Sequence, residues 1–555
     1  MTPLRAVVDR YHDGTKHHFH GFALSLGYLD WASQPRPFRA FSGSPAFPLY
    51  PAPSVPAGGY VPPSTNDSLR DLQGAAEPPS APLAGDLLRH ALGLSAWKQF
   101  GSSRWSLRVN PSSGNLHPTE AYVVCGSVDG LAETAAVYHY AADRHALELR
   151  CAFDERTWRS EWNGQDVLLI ALTSIHWREA WKYGERAFRY CQHDLGHAIA
   201  AVACAAALAG WRAVLLPAWS HRAIASLTGI DRDEDFIDAE REEPGCILAV
   251  GPPGGPPAGD GRRLVEAVRN GRWFGRASQL SEDHVQWTFI DEVARATEDP
   301  GRPDAPVSSV APVYGPERRI ILQRRSAVAF DGRSRIDRSA FFGMLSRVMP
   351  GQGAAWDVLW WTPRIHLAIF VHRVDDLVPG LYLLARDPSA LDRLKAACGR
   401  ELLWEAAHDH LPFTCLARGD CRALASRLSC DQDIAGDGCF SLGMIADFDA
   451  SLDTYGASFY RHLFWESGVV GQALYLEAEA AGVRATGIGC FYDDPVHDVL
   501  GLQGHAFQSL YHFTVGVAVD DTRLTTEPGY AWEAAPARES VLTSCEAHYR
   551  MPAAP

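Results

Sequence analysis

Three polar side chains follow a proline in the turn that begins at Pro111. Ser112, Ser113 and Asn115 come directly after it, and an apolar run occupies residues 121–125. The proline fixes its own φ angle, so the turn presents these groups in a restricted geometry. Hydroxyl and amide groups held in this way suit the edge of a polar ring or a ribityl chain. Arg108 lies three residues before the turn and could contact the same ligand or form a surface ion pair.

A second polar element contains two adjacent cations. Arg324, Arg325 and Ser326 stand just before a predicted helix. Guanidinium groups form paired, charge-assisted hydrogen bonds with phosphate, and a helix N-terminus also favours an anion. This element is therefore predicted to bind a phosphate group.

A third element is the glycine-containing segment Gly487-Ile488-Gly489. Glycines let a planar ligand approach backbone N–H groups, which suits the heteroatoms of a flavin ring. Cys490 follows directly and could lie near such a ligand, although most cysteines in this setting are small core residues.

No metal site is expected. Cys415, Cys421, Cys430 and Cys439 are close in sequence, but their spacing does not match a zinc motif, and the chain contains no C-x-x-C. Scattered cysteines of this kind indicate reduced thiols in a cytoplasmic protein.

These elements belong to a chain that repeats itself. Residues 182–213 align without gaps to residues 454–485, so that Tyr183 pairs with Tyr455, 272 positions later. The same offset pairs Gly196 with Gly468. A second match, of residues 136–141 with 380–385, has a smaller offset and implies insertions between the matched segments. The chain is predicted to consist of two related halves.

The polar elements differ between the halves in a complementary way. The part of the second half that corresponds to residues 111–115 is 355–359, which reads Ala-Trp-Asp-Val-Leu. The first half has no cation near residues 80–82 and no glycine in residues 213–222, where the second half has its arginines and glycines. This pattern predicts one composite site between the halves, and it predicts that the mirror-image site has been lost.

The totals fit this organisation. A chain of 555 residues is too long for one core, because domains usually hold about 100–200 residues. The expected boundaries are an N-terminal extension (1–80), a first domain (81–265), a helix and linker (266–317), a second domain (318–535) and a C-terminal tail (536–555). The net charge of −15 and the absence of a Lys/Arg block argue against nucleic-acid binding. The apolar run 198–211 is too short to span a membrane, which takes roughly 20 residues, and is expected to be a buried helix.

At these motifs the chain resembles the nitroreductase superfamily, and most closely its SagB/ThcOx branch of flavin-dependent azoline oxidases. The resemblance rests on "PSSGNLHPTEAYVV", "KYGERAFRY", "RRSAVAF" and "GIGCFYDD". It implies an α+β fold in which two tandem nitroreductase-like domains, each a mainly antiparallel sheet flanked by helices, form an intramolecular pseudodimer. The family normally has two FMN sites at a homodimer interface. Because the mirror-image site of this chain lacks these elements, one FMN per chain is expected, and the resemblance implies that Arg324, Arg325 and Ser326 hold its phosphate and ribityl end. Gly487 and Gly489 would face the ring, and residues 111–115 would close the site.

The same resemblance points to Lys182 and Tyr183 as catalytic residues, because SagB-type oxidases carry a Lys-Tyr pair. The second copy has Thr454-Tyr455, so one copy lacks the lysine. Lys182 would act as a base whose pKa burial lowers, and Tyr183 would relay the proton. A surface lysine beside a packed tyrosine is the alternative.

The expected function is therefore an FMN-dependent dehydrogenase or oxidase acting on a small molecule or a modified peptide, as in azoline-to-azole desaturation. Biosynthetic partner enzymes are expected, and the chain is expected to be a monomeric pseudodimer or a higher assembly of it. Two alternatives stay open. One is a nitro- or quinone reductase fed by NAD(P)H, although the chain has no separate G-x-G-x-x-G dinucleotide fold. The other is a non-catalytic scaffold or leader-binding protein.

Overall fold

The computed structural model describes residues 2–49, 79–252, 260–306, 317–351, 354–399 and 401–533. The first half below means the described residues up to 306, and the second half means those from 317. Most of the predicted linker and the whole C-terminal tail from 536 lie outside the described residues. No helix in the described ranges is long and apolar enough to cross a membrane.

The first half contains eight helices and twelve strands in its described residues. Its helices are α1 (Pro3–Gly14), α2 (Ala81–Ala91), α3 (Glu155–Glu161), α4 (His176–Tyr183), α5 (Ala187–Leu208), α6 (His221–Thr228), α7 (Arg262–Arg269) and α8 (Thr288–Ala296). Its strands are β1 (Phe41–Ser42), β2 (Ala46–Pro48), β3 (Leu94–Phe100), β4 (Ser103–Arg108), β5 (Thr119–Cys125), β6 (Ala136–Ala141), β7 (Ala146–Ala152), β8 (Leu168–Ser174), β9 (Arg212–Leu215), β10 (Glu243–Gly251), β11 (Arg272–Trp273) and β12 (Arg276–Ala277).

The second half contributes nine helices and eight strands within the described ranges. Its helices are α9 (Arg318–Gln323), α10 (Arg338–Arg347), α11 (Ala354–Asp357), α12 (Leu391–Ala397), α13 (Arg422–Leu428), α14 (Asp433–Asp437), α15 (Phe448–Tyr455), α16 (Phe459–Ala480) and α17 (Asp493–Leu500). Its strands are β13 (Ile365–Val371), β14 (Gly380–Leu384), β15 (Glu405–Ala406), β16 (Phe413–Arg418), β17 (Phe440–Asp447), β18 (Arg484–Ile488), β19 (Phe507–Gly516) and β20 (Thr525–Pro528).

Each half is built on one large sheet. The sheet of the first half has the order β11-β7-β6-β5-β8-β10-β9, and β2 also pairs with β7. The sheet of the second half has the order β15-β16-β14-β13-β17-β19-β18. Every pair of named strands is antiparallel, and the inner strands are buried along their length. The predicted α+β class with two sheet-and-helix domains is confirmed.

The internal repeat is visible in the element boundaries. Helices α4, α5 and α6 begin and end 272 positions before α15, α16 and α17 respectively. Strands β6 and β14 also occupy the same position in their sheets, as the second sequence match predicts. The run 198–211 belongs largely to α5, whose residues are all buried, as expected for an apolar core helix.

The long helices α5 and α16 cross at the two glycines that the repeat pairs. A Cβ atom on Gly196 would lie 2.2 Å from the backbone oxygen of Trp465, and one on Gly468 would lie 2.3 Å from that of His193. His193 and Trp465 are themselves 272 positions apart. The crossing therefore has local two-fold symmetry, and only glycine lets the two backbones come this close.

Both ends of the described chain pack on the opposite half. His12, on α1, bonds the Gln508 side chain on β19 at 2.9 Å, and Arg5 pairs with Asp449 on α15. At the other end, β20 adds to the β3–β4 hairpin of the first half. The two halves are thus held together by exchanged segments as well as by the central helices.

Two local predictions were wrong. The amphipathic pattern of residues 281–297 predicts one helix with Ser281 at its N-cap, but α8 begins only at Thr288, and Trp287 in its N-cap position makes no side-chain cap. Arg324 and Arg325 do not precede a helix directly. They follow the short helix α9, with Arg324 at its C-cap, and α10 begins only at Arg338. A helix N-terminus therefore contributes nothing to this cation cluster.

Candidate functional site

A cavity of about 840 Å³ lies between the halves, within the size range of cofactor pockets. The first half lines it with Arg108, the turn 111–115, Tyr183 and Asp194. The second half lines it with residues 323–328 and 486–490. Arg324 donates a hydrogen bond from Nη2 to the backbone oxygen of Arg108 at 3.2 Å, so the predicted elements of the two halves meet directly.

The Ser-Ser-Gly-Asn turn is held by bonds within the protein. Ser113 donates its backbone N–H and its hydroxyl to Asp194 Oδ1, at 3.0 and 3.2 Å. The side chain of Asn115 donates from Nδ2 to the backbone oxygen of Ser106, and its Oδ1 accepts from His117 Nε2, each at 2.9 Å. Gly114 and Asn115 both have φ near 60°, which an Asn-Gly pair tolerates better than other residues. The polar groups thus shape the turn as well as lining the cavity.

Two buried carboxyl groups lie behind this turn. Asp194 on α5 and Glu179 on α4 are almost fully buried, and Ser112 donates to Glu179 Oε1 at 3.4 Å. Burial raises the pKa of Asp194 to about 7, although its bonds from the serines act in the opposite direction. Burial, followed by the charge of Asp194, also raises the pKa of Glu179 well above its ordinary value. The pair is therefore a protonated or proton-sharing unit near neutral pH.

The two arginines have different surroundings. Arg325 donates from Nη1 to the backbone oxygens of Leu322 and Arg324, and from Nη2 to that of Ser95. Arg324 is 3% exposed, and its Nε and Nη1 have no hydrogen-bond partner among the described residues. Burial lowers the pKa of both. Nε and Nη1 of Arg324 therefore have no hydrogen-bond acceptor among the described residues, whereas Arg325 donates to three backbone oxygens.

Ser326 and the glycine segment are organised by tyrosines. Ser326 Oγ is 2.9 Å from the hydroxyl of Tyr475, which also accepts the Gly487 N–H at 2.8 Å. A Cβ on Gly487 would lie 2.0 Å from the hydroxyl of Tyr511, and one on Gly489 would lie 2.4 Å from the ring of Tyr190. Gly487 and Ile488 form the end of strand β18 rather than a loop. The glycines are required here because aromatic rings pack against the backbone.

Lys182 and Tyr183, at the end of α4, both lie next to Gly114. A Cβ on Gly114 would be 2.6 Å from the Tyr183 hydroxyl and 3.2 Å from Lys182 Nζ. Burial, with Glu179 as the next cause, raises the pKa of Tyr183 well above its ordinary value, so it is a neutral phenol at physiological pH. The α4 helix ends at Gly184, where the N-terminal segment passes closely, and the N–H of Glu185 bonds the Leu24 backbone oxygen at 2.9 Å.

The rim of the cavity beyond the glycines holds a cluster of soft donor groups. Cys490 lines the cavity, and its Sγ lies 3.6 Å from Nδ1 of His17. Cys430 is the third member, and the three donor atoms lie within 4.8 Å of one another. The hydrogen bond from Cys430, followed by His17 after a smaller opposing effect of burial, lowers the pKa of Cys490 to about 5.

The mirror-image position is filled by side chains. Leu215, the counterpart of Gly487 in the repeat, donates its N–H to the backbone oxygen of Val358 at 3.3 Å. Trp361 is buried beside them and donates to Glu466, the counterpart of Asp194, at 2.9 Å. In each half a buried acid, Asp194 or Glu466, thus accepts hydrogen bonds from the segment that precedes a central strand, β5 or β13. Among the described residues of the second half, that segment packs as core instead of bordering a cavity.

Sequence reasoning missed several residues that line or support the cavity. These are Glu179, Tyr190, Asp194, Tyr475 and Tyr511. A signal existed for Asp194, because the repeat aligns it with Glu466, so both copies keep an acid at the same position. The tyrosines carried no comparable signal.

The comparisons with known proteins fit this architecture. The sequence matches the Nitroreductase family over residues 75–251 and 380–517, which together make up more than half of the chain. The chain belongs to the nitroreductase family. The matched segments fall in the two halves, one in each, as the repeat predicts.

The solved structures include one that resembles the whole chain. A protein from Anabaena variabilis, described as a candidate nitroreductase, is 21% identical, with 92% of this chain and 99% of that chain covered and a TM-score of 0.65. This likeness shows that the fold of both halves together occurs in another single chain.

Smaller likenesses were also found. One is to the E. coli microcin synthetase McbBCD complex with truncated pro-MccB17 bound (17% identity, 45% and 94% coverage, TM-score 0.26). Another is to an FMN-containing oxidoreductase (14% identity, 38% and 82% coverage, TM-score 0.20). Neither enters the argument below. None of the curated proteins matches the chain.

Proposed function

We propose that the chain is an FMN-dependent oxidoreductase of the dehydrogenase or oxidase type, with one flavin site per chain in the cavity between the halves. The observation that carries this proposal is the meeting of complementary elements from both halves in one cavity, with Arg324 bonded to Arg108. The filled mirror position supports a single site.

The residues present fit an FMN phosphate. Arg324 is a buried cation with two N–H groups that no described residue accepts, and a buried charge without partners is costly unless a ligand compensates it. Ser326 adds a hydroxyl beside it, and Ser113 and Asn115 border the cavity from the other half. When bound, FMN would supply two-electron redox chemistry.

The proton chemistry is assigned to residues of this chain. Tyr183 would donate a hydrogen bond to the substrate as a neutral phenol, and Lys182 would accept the proton that leaves the substrate. The two side chains lie against the same face of Gly114, with Lys182 Nζ 5.1 Å from the centre of the Tyr183 ring. The second half has Thr454 in place of the lysine, so this pair would serve one site only.

The proposed substrate is a small molecule or a modified peptide in which a ring is desaturated, as in the conversion of an azoline to an azole. Partner enzymes that form the azoline would act before this step. A cavity of about 840 Å³ has room for a ring-sized group in addition to parts of a cofactor.

The test begins with flavin content and reduction. Purified protein supplied with FMN is expected to hold about one flavin per chain and to bleach anaerobically on addition of a thiazoline-containing peptide. Lys182→Ala is expected to keep the flavin and to lose turnover. Lys395→Ala is the matched control. Lys395 also lies over an aromatic ring, that of Trp404, and neither lysine is in the cavity lining, but only Lys182 lies next to Gly114 of the lining turn.

Other outcomes would redirect the assignment. Bleaching by NADH or NADPH, without bleaching by azoline substrates, would replace the dehydrogenase with a nitro- or quinone reductase. A protein that takes up no flavin would favour the scaffold function. Unchanged turnover in Lys182→Ala would remove the lysine from the mechanism while leaving the flavin site in place.

A further inference from the structure

Three potential metal ligands from distant parts of the sequence converge at the rim of the cavity. His17 follows α1 in the N-terminal segment, Cys430 lies in the turn after α13, and Cys490 follows β18. Their donor atoms, Nδ1 and two Sγ, all lie within 4.8 Å of one another, and both cysteines are free thiols. This convergence is independent of the flavin elements, and the sequence spacing gives no sign of it.

The backbone holds each of the three side chains in place. The N–H of His17 bonds Asp493 Oδ2 at 2.8 Å, and its backbone oxygen accepts the N–H of Asp493 at 3.0 Å. Cys430 has a φ of 55°, a left-handed conformation that a cysteine rarely adopts without a local cause. Gln432 donates to the backbone oxygens of Ser429, at 2.7 Å, and Cys490, at 3.0 Å, and so ties the two cysteine-bearing segments together. The ligand set is therefore preorganised.

The distances suit a tetrahedral zinc ion. Zn–S bonds of about 2.3 Å and Zn–N bonds of about 2.0 Å place two tetrahedral ligands about 3.5–3.8 Å apart. Cys490 Sγ and His17 Nδ1 are already 3.6 Å apart. The remaining pairs need to close by no more than about 1.3 Å to reach tetrahedral spacing, given their 4.8 Å limit.

We propose that His17, Cys430 and Cys490 bind one Zn²⁺ ion at the rim of the cavity. Two thiolates and one imidazole are a soft ligand set that selects zinc over magnesium or calcium. Two thiolates also neutralise the charge of the ion, so it adds no net positive charge beside Asp493, which already pairs with Arg186 at 2.9 Å and Arg189 at 2.8 Å. Three protein ligands leave a fourth position for water or for a molecule in the cavity. The ion would also fasten the N-terminal segment to the second half.

The first test measures bound metal. Full-length protein produced with added zinc and passed through a desalting column is expected to retain about one zinc per chain. Cys490→Ser and Cys430→Ser should each weaken zinc binding by more than about 10-fold in competition with a chromogenic chelator. Cys421→Ser is the matched control, because this partly exposed thiol bonds only to the Gly419 backbone oxygen and lies outside the cluster. Its zinc content is expected to stay unchanged.

A second measurement uses the unmodified protein, so it does not depend on the variants folding. Zinc is expected to slow alkylation of Cys430 and Cys490 but not of Cys421, and removal of zinc with a chelator should restore the rate. Mg²⁺ should give no protection. Substoichiometric zinc, equal alkylation with and without zinc, or a Cys430–Cys490 disulfide in a non-reduced peptide map would each overturn the proposal. Neither measurement requires flavin, so failure here is distinguishable from failure of the proposed function.

Discussion

Substitution of Arg324 by alanine tests the cofactor assignment most directly. Arg324 is buried, lines the cavity, and has two N–H groups, on Nε and Nη1, without partners in the described part of the chain. If both bond the FMN phosphate, the variant loses two charge-assisted hydrogen bonds. Riboflavin has the same ring and ribityl chain but no phosphate, so its Kd should not change in the variant.

The size of the effect follows from the number of bonds lost. A hydrogen bond to a charged group contributes about 1.5–3 kcal/mol, so two contribute about 3–6 kcal/mol, or about a 10²- to 10⁴-fold increase in the Kd for FMN. The flavin-free variant is expected to unfold at the same temperature as the parent or at a higher one. The reason is that burial of a guanidinium with one backbone hydrogen bond, and with Nε and Nη1 lacking an acceptor among the described residues, costs free energy, and the same burial lowers the pKa of Arg324.

The assay is fluorescence titration of flavin-free protein with FMN and with riboflavin. Arg325→Ala serves as the comparison, because its bonds go to three backbone oxygens and its loss should weaken both ligands together through destabilisation. An unchanged Kd for FMN in Arg324→Ala would refute the phosphate assignment. An equal loss for FMN and riboflavin would show that Arg324 acts through the fold.

Two further predictions concern buried groups next to the site. Burial raises the pKa of Asp194 from 3.8 to about 7, so the folded protein keeps a proton that the unfolded chain releases, and stability should fall as pH rises from about 4 to about 7. Asp194→Asn should make that decline shallower in urea unfolding across this pH range, and an identical slope would contradict the assignment. Gly468→Ala places a methyl group against the His193 backbone oxygen and is expected to lower the free energy of unfolding by about 1–3 kcal/mol. Gly343→Ala, in a helix with open space around it, should be neutral or stabilising in the same experiment.

Much of the architecture could be predicted from the sequence because the chain contains two copies of one pattern, and these copies can be compared with each other. The 272-residue offset fixed the equivalence of α5 with α16, and the two paired glycines mark where they cross. The differences between the copies then located the cavity, since the Ser-Asn turn and the arginines each occur in one half only. That reasoning needs only residue identity and spacing.

What the sequence did not predict depends on three-dimensional packing. Arg324 and Arg325 cannot be told apart in the sequence. In the structure Arg325 donates to backbone oxygens, whereas Nε and Nη1 of Arg324 have no acceptor among the described residues. Gly487 and Gly489 were interpreted as glycines that let a planar ligand approach the backbone, whereas Tyr511 and Tyr190 occupy the space beside them. The cluster of His17 with two cysteines joins residues more than four hundred positions apart, which no motif search detects.

The tryptophan-filled mirror position has an evolutionary consequence. In a dimer of identical subunits, one gene encodes both sites, so any substitution that closes the first pocket closes the second as well. Joining the subunits in one chain removes that constraint, and each copy can then mutate alone. The fusion allowed one pocket to fill with buried apolar side chains, while the other pocket kept the polar groups that border the cavity.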